Sequence, residues 1–310
     1  MGSVVFSLDA ELAWGFPDFA DLPMDRVDAS RDAWTWLVDL FDEYDVPATW
    51  AVVGHLFLDD CDARHADVDA PDGWFAHETG ALATRHDVRF APDLVAAVRN
   101  ADADHDIGSH SFVHVPFDHP GVTPELVDAD LGRAVAVAAD QGLALESFVF
   151  PRNAVGFREH LARHGFRAYR SAGAPSGTGA ARAARKIADV LDPRRVPLVE
   201  PRVDEYGLVD VPPSLFLFGF EGTPRDVLAT VWTDPIVRQA TDAIDRAAAS
   251  DGVCHLWLHP NNIVDDAGRA RMEAIVAHVA RRRDEDGLLV ETMRDVADRV
   301  LETEPTATVA

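Results

Sequence analysis

The chain has 310 residues, 47% of them apolar, which is enough for one large folded domain, and it lacks any unbroken apolar stretch long enough to span a bilayer. Aspartate and glutamate number 53 against 28 lysines and arginines, for a net charge of -25. A field of that sign repels nucleic acid and anionic lipid, which argues against both as partners.

The predicted elements alternate between strands and helices. Val4–Leu8 reads as a buried strand ending at Asp9. Arg31–Tyr44 carries Trp34, Leu37, Val38 and Phe41 at helical spacing, and Asp45-Val46-Pro47 stops it. Thr49–Val53 is a second strand, Pro92–Arg99 a helix, and Asp106–Ser109 a strand running into His110. Pro124–Ala139 is an amphipathic helix closed by Gly142, and Ser147–Phe150 a strand stopped by Pro151. A helix over Glu159–His164 and a short strand over Arg167–Arg170 follow. Residues 171–200 have the composition of a loop-rich insertion, with room for a surface helix over Ala180–Leu191. Asp210–Phe220 is apolar but interrupted by two prolines. The remaining elements are a helix over Pro235–Ala249, a strand over Val253–Leu258, a helix over Arg269–Arg283, a strand over Leu288–Val290 and a helix over Thr292–Leu301. The pattern predicts one catalytic domain over residues 1–302 and a flexible tail over 303–310. No repeats stand out.

Lys186 is the sole lysine, and low lysine with abundant aspartate fits a halophilic protein. Cys61 and Cys254 make no disulfide framework. Val4–Leu8 is too short for a signal peptide, so the expected location is the cytoplasm.

Strands alternating with helices predict parallel βα units, and in a parallel barrel the site forms at the carboxyl ends of the strands. Asp9, His110, Arg152 and His259 each stand at such an end. In Asp106-Ile-Gly-Ser-His110-Ser-Phe-Val-His114 the two histidines have a spacing that lets both face one metal if the segment turns helically. Asp9 and Glu11, two residues apart, point to one side in extended geometry, so one can hold a metal while the other accepts a proton. Arg152 after Phe148-Val-Phe-Pro151 can hold a neighbouring aspartate ionised. Alternation places His255, Trp257 and His259 on one strand face, followed by Asn261 and Asn262.

Together these motifs resemble the polysaccharide deacetylase family, carbohydrate esterase family 4. They include Ser7-Leu-Asp-Ala-Glu11, Ala48–Gly54, Phe150-Pro-Arg-Asn153 and His255-Leu-Trp-Leu-His-Pro-Asn-Asn262. The last two are similar to a subgroup often linked to surface-glycan gene clusters, and the composition points to a haloarchaeal member. The resemblance implies an α/β fold, a distorted (β/α) barrel of about seven parallel strands. It implies a divalent cation, zinc first with cobalt, manganese or iron as alternatives, held by His110, His114 and Glu11. It makes Asp9 the general base, with the reverse assignment of Asp9 and Glu11 open. Arg152 would orient the base and His259 would be the general acid. The substrate would be an N-acylated sugar or glycan, bound by Trp14, Asn153, His255, Trp257 and Asn261, with Trp14 and Trp257 equally readable as core. The chain departs from the family's adjacent aspartates, because Ala10 follows Asp9. The family's acidic residue that tunes the catalytic histidine has only Asp210 as a weak candidate. Other readings are a formamide or non-sugar amide hydrolase on the same site, or a glycan- or metal-binding protein without turnover.

Overall fold

The computed structural model describes residues 1–61, 70–173, 192–219 and 234–303. The surface helix expected over Ala180–Leu191 and almost all of the expected tail lie outside these residues.

The described residues build a curled, mostly parallel sheet. Its strands are β1 Ser3–Ala10, β2 Thr49–Val52, β3 Asp106–Ser109, β4 Ser147–Val149, β5 Ala168–Arg170, β6 Arg202–Val203, β7 Val209–Asp210, β8 Leu215–Phe216, β9 Val253–Leu258 and β10 Leu289–Glu291. Their order is β6-β7-β5-β4-β3-β2-β1-β9-β8. The edge of β1 is shared: Ser3–Val5 pair with β10 and Ser7–Ala10 with β2. Every pairing is parallel except β6 with β7. The architecture is therefore a curled half-barrel with short strands at each end, in keeping with the expected α/β fold built on a distorted parallel barrel. Of the apolar run expected from Asp210 onward, the described residues form only the end of β7 and the two-residue β8, because Pro212 and Pro213 between them cannot donate to a longer ladder.

Period-two alternation sorts the side chains of β1 into two layers. Val4, Phe6, Leu8 and Ala10 face the helices and join the large core with Trp34, Leu37 and Phe41 of the helix Met24–Glu43. Val5 faces the barrel interior with Ala51, Val149, Ala168, Val209 and Val253. Met293, Val296, Ala297 and Val300 of the C-terminal helix Met293–Thr303 join that interior cluster and plug its lower end. Above this apolar floor the same alternation brings Ser7 and Asp9 of β1, His255 and Trp257 of β9, and Arg170 of β5 inward. Gly108 in β3 is required by the curl, since a Cβ there would stand 2.7 Å from the Ser147 carbonyl oxygen.

Candidate active site

The upper end of the half-barrel opens into a cavity of about 350 Å3 lined by Asp9, Glu11, His110, His114, Asn153, Trp257 and His259 among others. Glu11 sits between the two histidines: His114 Nε2 is 3.1 Å and His110 Nε2 3.5 Å from its Oε2. The ligand atoms of these three buried residues lie within 4.8 Å of one another. His259 Nε2 stands 3.6 Å from Asp9 Oδ2 and 3.8 Å from Glu11 Oε1. The ends of β1, β3 and β9 and the loops that follow them thus border one cavity, with Arg152 at its rim, through contacts that differ in several places from the expectation.

The two histidines do not converge through a helical turn. His110 ends the alternation of β3, and the chain then folds back through left-handed backbone at Ser111 (φ 64°) and His114 (φ 62°). Asp130, on the helix Pro124–Asp140, holds this loop. It accepts hydrogen bonds from the Phe112 amide (2.9 Å), the Val113 amide (3.2 Å) and the Ser111 hydroxyl (3.2 Å). Burial pushes the Asp130 carboxyl up to about 6 against the pull of those donors. Leu12, Arg152 and Asn153 also have positive φ, so among the described residues five of the seven non-glycine positions with positive φ, all but Asp45 and Phe157, lie on the loops around the cavity.

Glu11 is aimed by its neighbours. The Asn261 amide donates to its Oε1 at 3.1 Å. The chain turns tightly through Leu12–Gly15, and a Cβ at Gly15 would lie 2.1 Å from Glu11 Oε1. Burial disfavours the charged form of Glu11, yet His259 together with His110 and His114 outweighs it and holds the carboxyl well below its ordinary value.

Arg170, not Arg152, holds Asp9. Its two terminal nitrogens donate to Asp9 Oδ1 and Oδ2, each at 2.7 Å, and both side chains are buried. Burial raises the Asp9 carboxyl, and Arg170, with His110 and His259, more than reverses this. The Arg152 guanidinium instead donates to the Gly15 carbonyl oxygen (3.1 Å) and pairs with Asp18 at the cavity rim. The turn Pro151–Asn153 carries Arg152 away from Asp9, while Arg170 at the end of β5 points straight across the interior. Arg170 satisfied the same criterion as the other strand ends, a polar residue closing a β run, and that signal marks it.

Two further placements differ from expectation. Asp210 does not reach His259. The His259 Nδ1–H instead faces Asn262 Oδ1 at 3.1 Å, leaving Nε2 toward the cavity. An amide takes the place of the expected carboxylate. His255 lies beneath the cavity, fully buried: its Nδ1–H faces the Val211 and Pro212 carbonyl oxygens (3.0 and 3.1 Å), and its Nε2 accepts from the Ser7 hydroxyl (2.8 Å). Burial, then Arg170, pushes it down to about 3, so it is neutral. Ser7 in turn accepts from Arg170 at 2.9 Å, so His255 supports the arginine and does not touch a ligand.

Trp14 is core: its indole N–H donates to the Arg89 carbonyl oxygen at 3.1 Å, and its ring packs on His55. Trp257 lines the cavity, stacked on Phe216 with centroids 4.3 Å apart, and Arg170 lies over its ring at 4.3 Å. Asn153 lines the cavity and accepts from Arg170 at 3.3 Å. Asn261 faces Glu11 and is buried.

Residues 19–152 match the model of the family described as polysaccharide deacetylase. A candidate polysaccharide deacetylase from Mycobacterium smegmatis has a similar structure, with TM-score 0.65, 17% identity, and coverage of 98% of this chain and 91% of that one. A probable polysaccharide deacetylase from Pseudomonas aeruginosa PAO1 and the PuuE allantoinase are also similar, each with TM-score 0.61, 14% identity, and coverage of 98% and 92%. At these identities the likeness establishes a shared fold. A comparison with curated proteins found no match. The family match indicates a hydrolase acting on carbon–nitrogen bonds other than peptide bonds. Among the described residues, no helix is long and apolar enough to cross a membrane.

Proposed function

We propose that the protein removes an N-acyl group, acetyl first, from an amino sugar or surface-glycan precursor by metal-assisted hydrolysis in a salt-rich cytoplasm. The observation that carries this reading is the grip of His110 and His114 on Glu11 with Asp9 and His259 beside it. The donor set fits a cation on its own chemistry. His110 Nδ1 lies 2.8 Å from the Val149 carbonyl oxygen, which can only accept, so that nitrogen carries the proton. In neutral His110 the Nε2 lone pair then faces the lone pairs of Glu11, an opposition that a divalent cation relieves. Burial also favours neutral His114. Two imidazoles and one carboxylate suit zinc, with cobalt, manganese or iron as alternatives.

When bound, such a cation supplies Lewis acidity, polarising an amide carbonyl and bringing a water's pKa from 15.7 toward about 7. Asp9, held ionised by Arg170, takes the proton from the attacking water. His259, when charged, gives a proton to the departing nitrogen through Nε2, because Asn262 fixes its other ring nitrogen as a donor. That donation matters because an amine anion is a poor leaving group. Trp257 and Phe216 present a stacked aromatic wall on which a sugar ring can lie.

The test is acetate release from a panel of N-acetylated sugars in high salt, after chelation and after restoring zinc or cobalt. Activity that follows the metal is expected. Asp9→Asn and His259→Ala should keep the metal and lose about 10²–10⁴-fold in kcat. Full activity in either removes that residue from the reaction. The likeness to an allantoinase supports a second reading, a non-sugar amide, so the panel includes formamides and non-sugar amides.

A further inference from the structure

We propose that His55, Cys61 and Glu78 form a second cation site, for a borderline or soft divalent metal such as zinc, that staples the segment around Trp14. His55 Nε2 is 3.2 Å from Cys61 Sγ, Cys61 Sγ is 3.4 Å from Glu78 Oε1, and His55 Nε2 is 3.6 Å from the same oxygen. Zinc bonds of about 2.0–2.1 Å to nitrogen, 2.3 Å to sulfur and 2.0–2.2 Å to oxygen at tetrahedral angles place nitrogen and oxygen about 3.5 Å from sulfur and about 3.3 Å from each other. The three observed separations lie within about 0.3 Å of that triangle.

The imidazole is set for the task. His55 Nδ1 is 3.1 Å from the Arg89 carbonyl oxygen, which fixes the N–H on Nδ1 and leaves the Nε2 lone pair aimed at the sulfur. The backbone of one residue thus orders this histidine as Val149 orders His110. Arg89 also pairs with Glu78 through its guanidinium and approaches Cys61 Sγ at 3.8 Å. Because this arginine already balances the carboxylate, charge alone draws little to the site. That disfavours calcium and magnesium and leaves affinity to sulfur and imidazole, which select zinc, cobalt or copper. Binding converts the Cys61 thiol to a thiolate bonded to the cation, and its proton leaves to solvent.

The location gives the site a purpose. Between residues 58 and 91 the described chain has only two four-residue helices, Ala76–Thr79 and His86–Arg89. The small apolar cluster beside it comprises Ala13, Phe16, Val27, Leu82 and Val88. A bond network joining the turn Gly54–Phe57, Cys61 and Glu78 ties together a stretch whose described residues have little regular secondary structure. The His55 ring lies 4.3 Å from the Trp14 ring, and both donate to the Arg89 carbonyl oxygen. Trp14 is three residues beyond Glu11, so the staple steadies the turn that presents Glu11.

Cobalt titration of the metal-free full chain tests the proposal. Two equivalents per chain are expected, one with the near-ultraviolet charge-transfer absorption of a thiolate–cobalt bond. Cys61→Ser should lose that absorption and one equivalent, whereas His110→Ala should keep the absorption and lose the other. No such absorption in the wild type, or its persistence in Cys61→Ser, overturns the site. If Cys61→Ser fails to fold, alkylation of the wild-type thiol with iodoacetamide decides: zinc should slow it, and equal rates with and without zinc refute the assignment.

Discussion

Replacing Arg170 with glutamine tests which arginine governs the base. Arg170 makes two 2.7 Å bonds to Asp9, one of 2.9 Å to Ser7 and one of 3.3 Å to Asn153, all within a buried setting. Removing one partner of a buried pair costs about 3–5 kcal/mol, because the remaining charge is left without compensation. With the guanidinium gone, the burial that already opposes ionisation is left to push the Asp9 carboxyl upward. In the wild type Asp9 lies below its ordinary value, so its contribution to stability is present above that value and lost as pH falls through the lowered one. In Arg170→Gln the sign reverses: the folded value exceeds the unfolded one, and the stability deficit opens as pH rises above about 4. Thermal unfolding across pH should therefore show the variant near wild type in acid and well below it at neutral pH. The acid limb of kcat/KM should move upward as well. Arg170→Lys keeps a charge but loses the two-pronged grip, and should fall between the two. Arg152→Gln should leave the acid limb where it is. If Arg152→Gln moves that limb and Arg170→Gln does not, the assignment of Arg170 is wrong.

Asn261→Ala removes the donor to Glu11 Oε1, and Gly15→Ala drives a methyl group into the same oxygen. Each should weaken metal binding about 10–100-fold, measured by competition with a chelating dye, while the fold persists. Asp130→Asn should erase one segment of the stability–pH curve. With a folded value of about 6 against 3.8 for a free aspartate, the wild-type contribution is present in acid and declines as pH rises between them, by roughly 3 kcal/mol. In urea unfolding, the stability difference between wild type and variant should change by that amount across about pH 4 to pH 7, which separates Asp130 from the buried histidines His105 and His255 that titrate with opposite sign in the same window. The net charge of -25 predicts a thermal midpoint that climbs with potassium chloride as screening shortens self-repulsion to about 3 Å at 1 M. A midpoint unchanged between low and molar salt would contradict the halophilic reading.

The sequence made the strand ends legible wherever local chemistry and local geometry coincide. Asp9, His110 and His259 follow apolar runs whose period alone decides which face they take, and they meet in one cavity. What eluded it depends on pairs distant in sequence. Arg170 and Asp9 are 161 positions apart, and only the curl of the sheet brings β5 to face β1. Arg152 misled because the direction of a side chain after a strand is set by the turn, here Pro151–Asn153 with Arg152 at φ 58°, and not by the strand's period. His255 shares a strand face with His259, but four residues along β9 separates the buried floor from the cavity. The same face therefore holds a neutral structural histidine below and a cavity-lining one above.

That vertical ordering explains how an acid-rich chain keeps two carboxylates ionised side by side in a buried place. Val5, Ala168 and Val253 form a dry floor, and above them His255 accepts from Ser7 without adding charge. Arg170 is the one cation in that middle layer among the described residues, and it is spent wholly on Asp9 and its supports. Nothing of comparable kind is left for Glu11, whose partners are imidazoles and an amide. A carboxylate so placed calls for a second positive charge, and the two imidazole nitrogens turned toward it have the donor chemistry to bring one as a metal ion rather than as an arginine. In the proposed mechanism, the choice between base and ligand, open from sequence because Asp9 and Glu11 are only two residues apart, rests on which of them already has its cation.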